Sequence, residues 1–212
     1  MNKKLLPDTD IYCITSEEHS RGRNNIDVVK EMIDAGIKII QYREKEKEMG
    51  EKYEQCMKIR EMTTGAGVFF IVNDHADIAL MTGADGIHIG QDDLPIEAVR
   101  KMVGNGMVIG MSTHSPSQAE EAISKGADYI GVGPIYRTYT KKNVCDPVGL
   151  PYLDYAVKRV DVPFVTLGGI KTHNVSEVVS RGAPCVALVT EIVGADDIAA
   201  KIKDIRHRMR KG

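Results

Sequence analysis

Four groups of polar and charged residues in this chain each follow an apolar run that predicts a β-strand. They combine arginine and lysine, which bind phosphate oxygens, with carboxylates, which bind Mg²⁺. A Mg²⁺-bound diphosphate needs both kinds of residue, so the groups predict a site for such a ligand wherever the fold brings them together. The groups span 41–45, 72–74, 86–93 and 133–142.

Asp74 and Asp93 are the candidate metal ligands. Each follows a predicted strand, and the two strands are consecutive in the chain. Neighbouring strands lie ~4.8 Å apart, so two carboxylates at their ends can reach one ion. Mg²⁺ commonly takes one or two carboxylates together with substrate phosphates and water. A structural alternative stays open, in which Asp74 caps the following helix and Asp93 lies in a solvated turn.

Arg43, Lys45 and Lys141 are the candidate diphosphate ligands, because arginine offers a planar fork and lysine a compact charge. Arg43 directly ends a strand, although a salt bridge to a neighbouring strand end would also explain it. Glu44 lies between Arg43 and Lys45 and is expected to be their ion partner. Lys141 lies in the longest predicted connection, 133–150, which we expect to form a mobile lid over the site.

Two further strand ends carry small or hydroxyl residues. Gly168 and Gly169 end the seventh predicted strand, where α/β barrels commonly build a phosphate site, although a plain tight turn would also need them. Ser112 and His114 follow the fifth strand, but the sequence offers no acid that would orient the histidine as in a catalytic triad. We therefore interpret Ser112 as a hydroxyl ligand to phosphate. His88, inside an apolar run, is interpreted as a hydrogen-bonded residue of the barrel interior.

A recurring unit must position these groups: a helix, a glycine beside an alanine, and a mostly apolar strand. Nearly continuous apolar strands indicate a parallel sheet covered by helices. The sequence therefore predicts one α/β domain over 1–212, a (β/α)8 TIM barrel with its active site at the C-terminal ends of the strands. An open doubly wound sheet is weaker, because no G-x-G-x-x-G motif follows the first strand. The predicted strands lie near 11–14, 37–42, 68–72, 86–89, 107–111, 129–132, 163–167 and 185–189.

The composition narrows the classes of partner. A net charge of −2 gives no basis for binding nucleic acid or a membrane surface. The four cysteines show no zinc-ligand spacing and are interpreted as core residues of a reducing compartment. No signal peptide or membrane-spanning run is visible, so we expect a cytoplasmic protein. The sequence does not decide the oligomeric state, and a homo-oligomer stays open.

Taken in order, the motifs resemble those of the thiamine-phosphate synthase (thiamine-phosphate pyrophosphorylase) family over nearly the whole chain. The resemblance implies a transferase of thiamine biosynthesis. That family joins 4-amino-2-methyl-5-hydroxymethylpyrimidine diphosphate to a thiazole phosphate, by a dissociative, Mg²⁺-assisted substitution that releases pyrophosphate. The motifs that carry the resemblance are QYREK, VND, GIHIGQDD, GMSTHS, GPIYRTYTKK and LGGI.

The resemblance also implies roles for individual residues. Those expected to be catalytic are Arg43, Lys45, Ser112 and Lys141, and those expected to carry Mg²⁺ are Asp74 and Asp93. Those expected to hold the pyrimidine diphosphate are Gln41, Tyr42, Arg43, Glu44, Lys45, Asn73, Ser112 and Lys141. Those expected to hold the thiazole phosphate are Thr138, Thr140, Gly169, Val189 and Thr190, with Tyr139 as a further substrate contact.

The chemistry implied by the resemblance needs no general base, because the attacking thiazole nitrogen carries no proton. Two residues depart from the family's usual pattern: Arg137, where a proline or small residue is common, and Glu191, which puts a carboxylate beside the expected thiazole-phosphate site. One rival hypothesis is a thiazole tautomerase-like isomerase that uses His114 as an acid or base. A second is a non-catalytic barrel that binds a phosphate ligand. A third is another phosphate-binding barrel, such as those of tryptophan or histidine synthesis, which would share the Gly-Gly turn but not the QYREK motif or the carboxylate pair. The intact carboxylate pair and Lys141 favour the synthase.

Overall fold

The computed structural model of the protein describes residues 6–140 and 145–210. Eight parallel strands form a closed barrel in sequence order, and the first pairs with the last where Ile11 meets Val186. This confirms the predicted TIM barrel. No strand end departs from its prediction by more than two residues, as at the second strand, which begins at Ile39 instead of 37. The strands are β1 (Ile11–Ile14), β2 (Ile39–Tyr42), β3 (Phe69–Asn73), β4 (Gly86–Ile89), β5 (Val108–Thr113), β6 (Tyr129–Val132), β7 (Phe164–Thr166) and β8 (Val186–Leu188).

Helices follow the strands and cover the outside of the barrel. Ser115 Oγ accepts the Gln118 N–H at 3.3 Å and caps the helix that begins at Pro116. The Gln118 side chain accepts the His114 N–H instead of closing a capping box on Ser115. Within the described ranges, no helix is both long and apolar enough to cross a membrane. The helices are α1 (Asn25–Asp34), α2 (Met49–Ala66), α3 (Ala76–Thr82), α4 (Ile96–Val103), α5 (Pro116–Ser124), α6 (Gly149–Arg159), α7 (Val175–Ser180), α8 (Thr190–Val193) and α9 (Ile198–Met209), with a short 3₁₀ turn at Glu17–His19.

Two apolar layers hold the barrel together, because successive strand residues point to opposite faces of the sheet. Tyr12 and Tyr129 belong to the layer that fills the inside of the barrel. Ile11 and Ile40 belong to the layer between the strands and the helices. Full burial of a side chain of this size contributes roughly 1.5–3 kcal/mol. The cysteines predicted to be core residues are buried at Cys13, Cys56 and Cys185, whereas Cys145 is exposed.

The repeated Gly-Ala-Asp sequence anchors the N-terminal ends of two strands. Asp85 accepts a backbone N–H of β3 at 2.9 Å and pairs with Arg60 at 2.8 Å. Asp128 accepts a backbone N–H of β5 at 2.9 Å and pairs with Arg100 at 2.6 Å. The contacts of these two carboxylates are structural, as is typical of the N-terminal end of such a barrel. Ligands are expected at the opposite end, where the strands have their C-termini.

Candidate active site

Two cavities open at the C-terminal ends of the strands and meet. The deep cavity is lined by residues of the barrel interior, including Tyr12 and Tyr129. The outer cavity is lined by charged residues beyond the strand ends, including Lys45, Asp74 and Asp93. We call their meeting point the junction, and the residues that line both cavities there are Arg43, Ser112, His114 and Thr140.

Asp74 is held in a backbone conformation that few residues adopt. Its φ is +63°, in the left-handed region, which costs of order 1 kcal/mol for a residue other than glycine. Its N–H donates to the His88 carbonyl at 2.9 Å, and its carboxylate forms an ion pair with Lys45. Helix α3 has His75 at its N-cap and no side-chain cap there, so the capping alternative for Asp74 is wrong. The strained residue instead turns its carboxylate to the outer cavity.

Asp93 closes a turn and lines the same outer cavity as Asp74. Its Oδ2 accepts the Gly90 N–H at 2.7 Å, and the side chain is exposed. Among the described residues, no group of three or more His, Cys, Asp or Glu could hold a metal by itself. Two carboxylates are nevertheless the donor set that suits Mg²⁺ when a substrate diphosphate and water complete its oxygen ligands. The residues present therefore fit the predicted ion.

Arg43 is the cation at the junction. Its backbone N–H donates to Thr15 Oγ1 at 2.9 Å, which fixes the strand end from which the side chain leaves. Burial lowers the pKa of its guanidinium, and the nearby Asp74 and Glu44 carboxylates oppose that shift. An arginine remains charged at neutral pH in either case. Arg43 thus offers a desolvated positive fork to an anion that spans the two cavities.

Of three expected substrate contacts, Tyr42 and Tyr139 line neither cavity, and Glu44 lines the outer cavity but has other hydrogen-bond partners than predicted. Tyr42 is 2% exposed and faces helix α2, where its hydroxyl donates to Gln55 at 3.0 Å, because strand alternation turns it outward. Glu44 lines the outer cavity, but its carboxylate accepts from the Glu17 N–H at 2.9 Å and from Asn25 at 2.8 Å instead of pairing with Arg43 and Lys45. The third, Tyr139, is 81% exposed and lines neither cavity.

A chain of hydrogen bonds crosses the interior of the barrel beside the deep cavity. Gln41 Nε2 donates to the Tyr12 hydroxyl at 2.8 Å, and the Tyr12 and Tyr129 hydroxyls lie 3.0 Å apart. Tyr129 then lies 2.8 Å from His88 Nδ1, and His88 Nε2 lies 2.9 Å from Ser112 Oγ. Burial raises the pKa of both tyrosines, so both stay neutral. The predicted interior role of His88 is confirmed, whereas the sequence reasoning missed both tyrosines.

The two glycines after β7 are required by a close approach of the backbone. Their φ angles are +97° and +64°. A Cβ on Gly168 would stand 2.4 Å from Pro134 Cα, and one on Gly169 would stand 2.6 Å from the Arg137 carbonyl oxygen. The Tyr136 N–H donates to the Gly168 carbonyl at 2.9 Å. The turn therefore packs against the connection after β6 and leaves Gly169 lining the deep cavity.

Glu191, the unusual carboxylate, is already bound by its neighbours. Its Oε1 accepts the Thr172 N–H at 3.1 Å, and Oε2 lies 3.4 Å from Lys171 Nζ. Burial raises the pKa of Glu191, but the hydrogen bonds from Thr172 and the charges of Lys171 and Lys201 outweigh it, so the pKa lies below its ordinary value. Lys171 also donates to Thr190 Oγ1 at 2.8 Å. Lys171 is a site cation that the sequence reasoning missed, although it follows the Gly-Gly-Ile motif directly.

Most of the remaining candidates line the deep cavity, whereas Arg137 does not. Thr138 and Thr140 lie with their hydroxyl oxygens 3.2 Å apart, and His114 Nδ1 lies 2.6 Å from the Gly133 carbonyl oxygen, so that nitrogen carries a proton. The side chain of Arg137 is exposed and lines neither cavity. Lys141, with its neighbours through 144, lies outside the described residues. The other candidates that line the deep cavity are Gln41, Asn73, Ser112, Gly169, Val189 and Thr190.

Comparisons with known proteins agree with one another. The family model described as "Thiamine monophosphate synthase" matches residues 11–192. Thiamine-phosphate synthase of Pelotomaculum thermopropionicum is 64% identical over 95% of this chain and 92% of its own length, and that of Lawsonia intracellularis is 53% identical over 94% and 92%. The thiamine phosphate pyrophosphorylase structure from Pyrococcus furiosus superposes with a TM-score of 0.86 at 31% identity, covering 95% of this chain and 96% of that one. A 3-hexulose-6-phosphate synthase structure, at 17% identity and a TM-score of 0.66, shares the fold. The chain belongs to the thiamine monophosphate synthase family.

Proposed function

We propose that this chain is a transferase of thiamine biosynthesis. It joins 4-amino-2-methyl-5-hydroxymethylpyrimidine diphosphate to a thiazole phosphate, giving thiamine phosphate and pyrophosphate. The observation that carries the proposal is the junction, where a largely apolar cavity meets a charged one at Arg43 and Ser112. A substrate made of an aromatic ring and a diphosphate likewise has one apolar part and one charged part, which match the two cavities. The family membership supports the same reaction.

The pyrimidine ring belongs in the deep cavity, and its diphosphate belongs in the outer cavity. The deep cavity offers Gln41 and Asn73 as hydrogen-bonding groups among apolar walls. The outer cavity offers Lys45 and, at its inner edge, Arg43. The bond that breaks would then lie at the junction, beside the Ser112 hydroxyl.

Asp74 and Asp93 would hold Mg²⁺ together with the diphosphate. The bound ion would supply positive charge that neutralises the departing diphosphate. Arg43 and Lys45 would stabilise the same developing charge from the protein side, and such prearranged charges are worth most in a site that excludes water. Lys141 is proposed as a further cation for the leaving group.

No residue is needed to remove a proton, because the attacking thiazole nitrogen carries none. This agrees with His114, whose Nδ1–H is committed to the Gly133 carbonyl and which has no carboxylate partner among its hydrogen bonds. Catalysis would therefore consist of charge neutralisation at the leaving group and alignment of the two rings in the barrel mouth. A tautomerase would instead require an acid or base that transfers a proton.

The thiazole phosphate would bind at the ends of β7 and β8. Gly169 permits close backbone approach there, and the Thr138, Thr140 and Thr190 hydroxyls line the same cavity. Lys171 adds a positive charge beside Thr190. Because Glu191 is held by Thr172 and two lysines, its charge is compensated and does not oppose a phosphate in this position.

Incubation of the purified protein with both substrates and Mg²⁺ tests the proposal, with thiamine phosphate and pyrophosphate quantified by chromatography. Equimolar formation of the two products is expected, and omission of either substrate or chelation of Mg²⁺ should abolish it. Isomerisation of the thiazole without coupling would identify a tautomerase instead. Tight binding of a phosphate ligand with no turnover would identify a non-catalytic barrel. A cytoplasmic location stays a prediction from sequence, and the sequence leaves the oligomeric state open.

A further inference from the structure

The buried hydrogen-bond chain from Gln41 to Ser112 has a direction that its end groups set. Gln41 Nε2 is a donor, so the Tyr12 hydroxyl accepts from it. Tyr12 is 2% exposed, and its own hydrogen therefore needs an acceptor, which the Tyr129 hydroxyl provides at 3.0 Å. The Tyr129 hydroxyl, which accepts from Tyr12, must then donate its own hydrogen bond to His88 Nδ1 at 2.8 Å. Each group therefore donates one hydrogen bond to the next group in the chain.

This direction decides which nitrogen of His88 carries the proton. Nδ1 accepts from Tyr129, so a neutral imidazole must carry its hydrogen on Nε2. Nε2 lies 2.9 Å from Ser112 Oγ and donates to it. The Ser112 hydroxyl then keeps its own hydrogen for another acceptor, and Ser112 lines both cavities at the junction.

We propose that the chain from Gln41 through Tyr12 and Tyr129 holds His88 as the neutral Nε2–H tautomer, so that His88 acts as a positioning residue and Ser112 presents a hydroxyl hydrogen to an anionic ligand at the junction. If the hydrogen bonds ran in the opposite direction, Ser112 would donate to His88 Nε2 and would present only a lone pair to the anion. A diphosphate oxygen accepts hydrogen bonds and does not donate them when ionised. The identity of that anion rests on the proposed function, whereas the tautomer does not.

Nitrogen-15 NMR of the histidine rings in the ligand-free protein at pH 8 reads the tautomer directly. The His88 signals are assigned by their loss in His88→Gln. We expect Nδ1 to resonate as an unprotonated nitrogen and Nε2 as a protonated one. A protonated Nδ1 would overturn the proposal, because the chain would then run from Ser112 toward Gln41.

Two tyrosine variants form a matched pair, since each removes one buried hydroxyl and keeps its ring. Tyr129→Phe deletes the donor to Nδ1, so the His88 ring should lose its preference for the Nε2–H form. Tyr12→Phe removes the link to Gln41 that sets the direction but keeps a Tyr129 hydroxyl that can donate, so the preference for the Nε2–H form should weaken less than in Tyr129→Phe. An altered tautomer in Tyr12→Phe together with an unchanged one in Tyr129→Phe would contradict the proposed direction. Thermal melts establish that both variants are folded.

Binding of Mg²⁺-pyrophosphate tests the consequence for Ser112 without requiring turnover. Loss of one hydrogen bond to an anion weakens affinity by roughly tenfold or more, so Ser112→Ala should raise the dissociation constant by at least that factor. His88→Leu keeps the Ser112 hydrogen but removes the group that orients it, so the increase should be smaller. His88→Gln keeps a side-chain N–H and should restore most of the affinity. Unchanged affinity in a folded Ser112→Ala protein would overturn the role assigned to Ser112. A failed coupling reaction would remove the proposed function and leave the tautomer result standing, so the two failures are distinguishable.

Discussion

Replacement of Asp74 by asparagine separates a metal-binding carboxylate from a structural one. Asparagine tolerates the left-handed φ of +63° that Asp74 adopts. No helix cap is lost, because α3 has no side-chain cap. The remaining loss is the ion pair with Lys45, whose side chain is 47% exposed, and such pairs contribute about 0–1 kcal/mol. For a chain of this size we therefore expect a Tm shift of no more than about 2–4 °C.

Activity should respond much more strongly than stability to the same change. Loss of one of two metal carboxylates should lower coupling activity at a fixed, subsaturating Mg²⁺ concentration at least about tenfold, or about 1.4 kcal/mol. The assay is a Mg²⁺ titration of initial rates, run beside thermal melts. Asp92→Asn is the matched control, because it removes the same charge from the same outer cavity at a residue not proposed as a ligand. Identical Mg²⁺ titrations in wild type and Asp74→Asn would refute the metal assignment, and a large loss of Tm would show that Asp74 is mainly structural.

Three further predictions address Lys141, the rival isomerase and the unusual carboxylate. Lys141→Ala should lower kcat at least about tenfold; a normal kcat with only a raised KM would make Lys141 a docking charge. His114→Gln should keep coupling activity to within about tenfold, and a collapse in a folded variant would reveal proton transfer by His114. The pKa of Glu191 is lowered in the folded protein, so its charge stabilises the fold above the ordinary value of 4.5 and loses that contribution as pH falls through the lowered value. Melting curves of wild type and Glu191→Gln should thus differ above about pH 5 and converge in stronger acid, whereas a constant difference at every pH would be inconsistent with this.

The barrel itself could be predicted because each of its strands is marked by residues close to it in the sequence. Apolar runs and glycines at helix ends mark each strand, and they located every strand end to within two residues. The Gly168–Gly169 turn was also recognisable from its position after the seventh strand, and the structure supplies the reason in the contact with Pro134. The placement of Asp74 and Asp93 on one cavity follows from the order of β3 and β4 in the barrel.

Side-chain direction and long-range contacts could not be predicted in the same way. The motif at 41–45 gives no sign that Tyr42 faces outward or that Glu44 is bound by Glu17 and by the start of α1, since both depend on partners distant in sequence. The hydrogen bond between Tyr12 and Tyr129 joins β1 and β6, which are not neighbours, across the inside of the barrel. Such contacts depend on which strands lie opposite each other in the closed barrel, and residue spacing along the chain does not specify this.

The most direct test of the central claim is a crystal structure of the protein with Mg²⁺, pyrophosphate and thiamine phosphate. The claim is that ring and diphosphate divide between the deep and outer cavities at the junction. We predict the pyrimidine ring in the deep cavity, pyrophosphate in the outer cavity against Arg43, and the cation on Asp74 and Asp93. Pyrophosphate bound outside the outer cavity, or a cation held by other residues, would contradict the account.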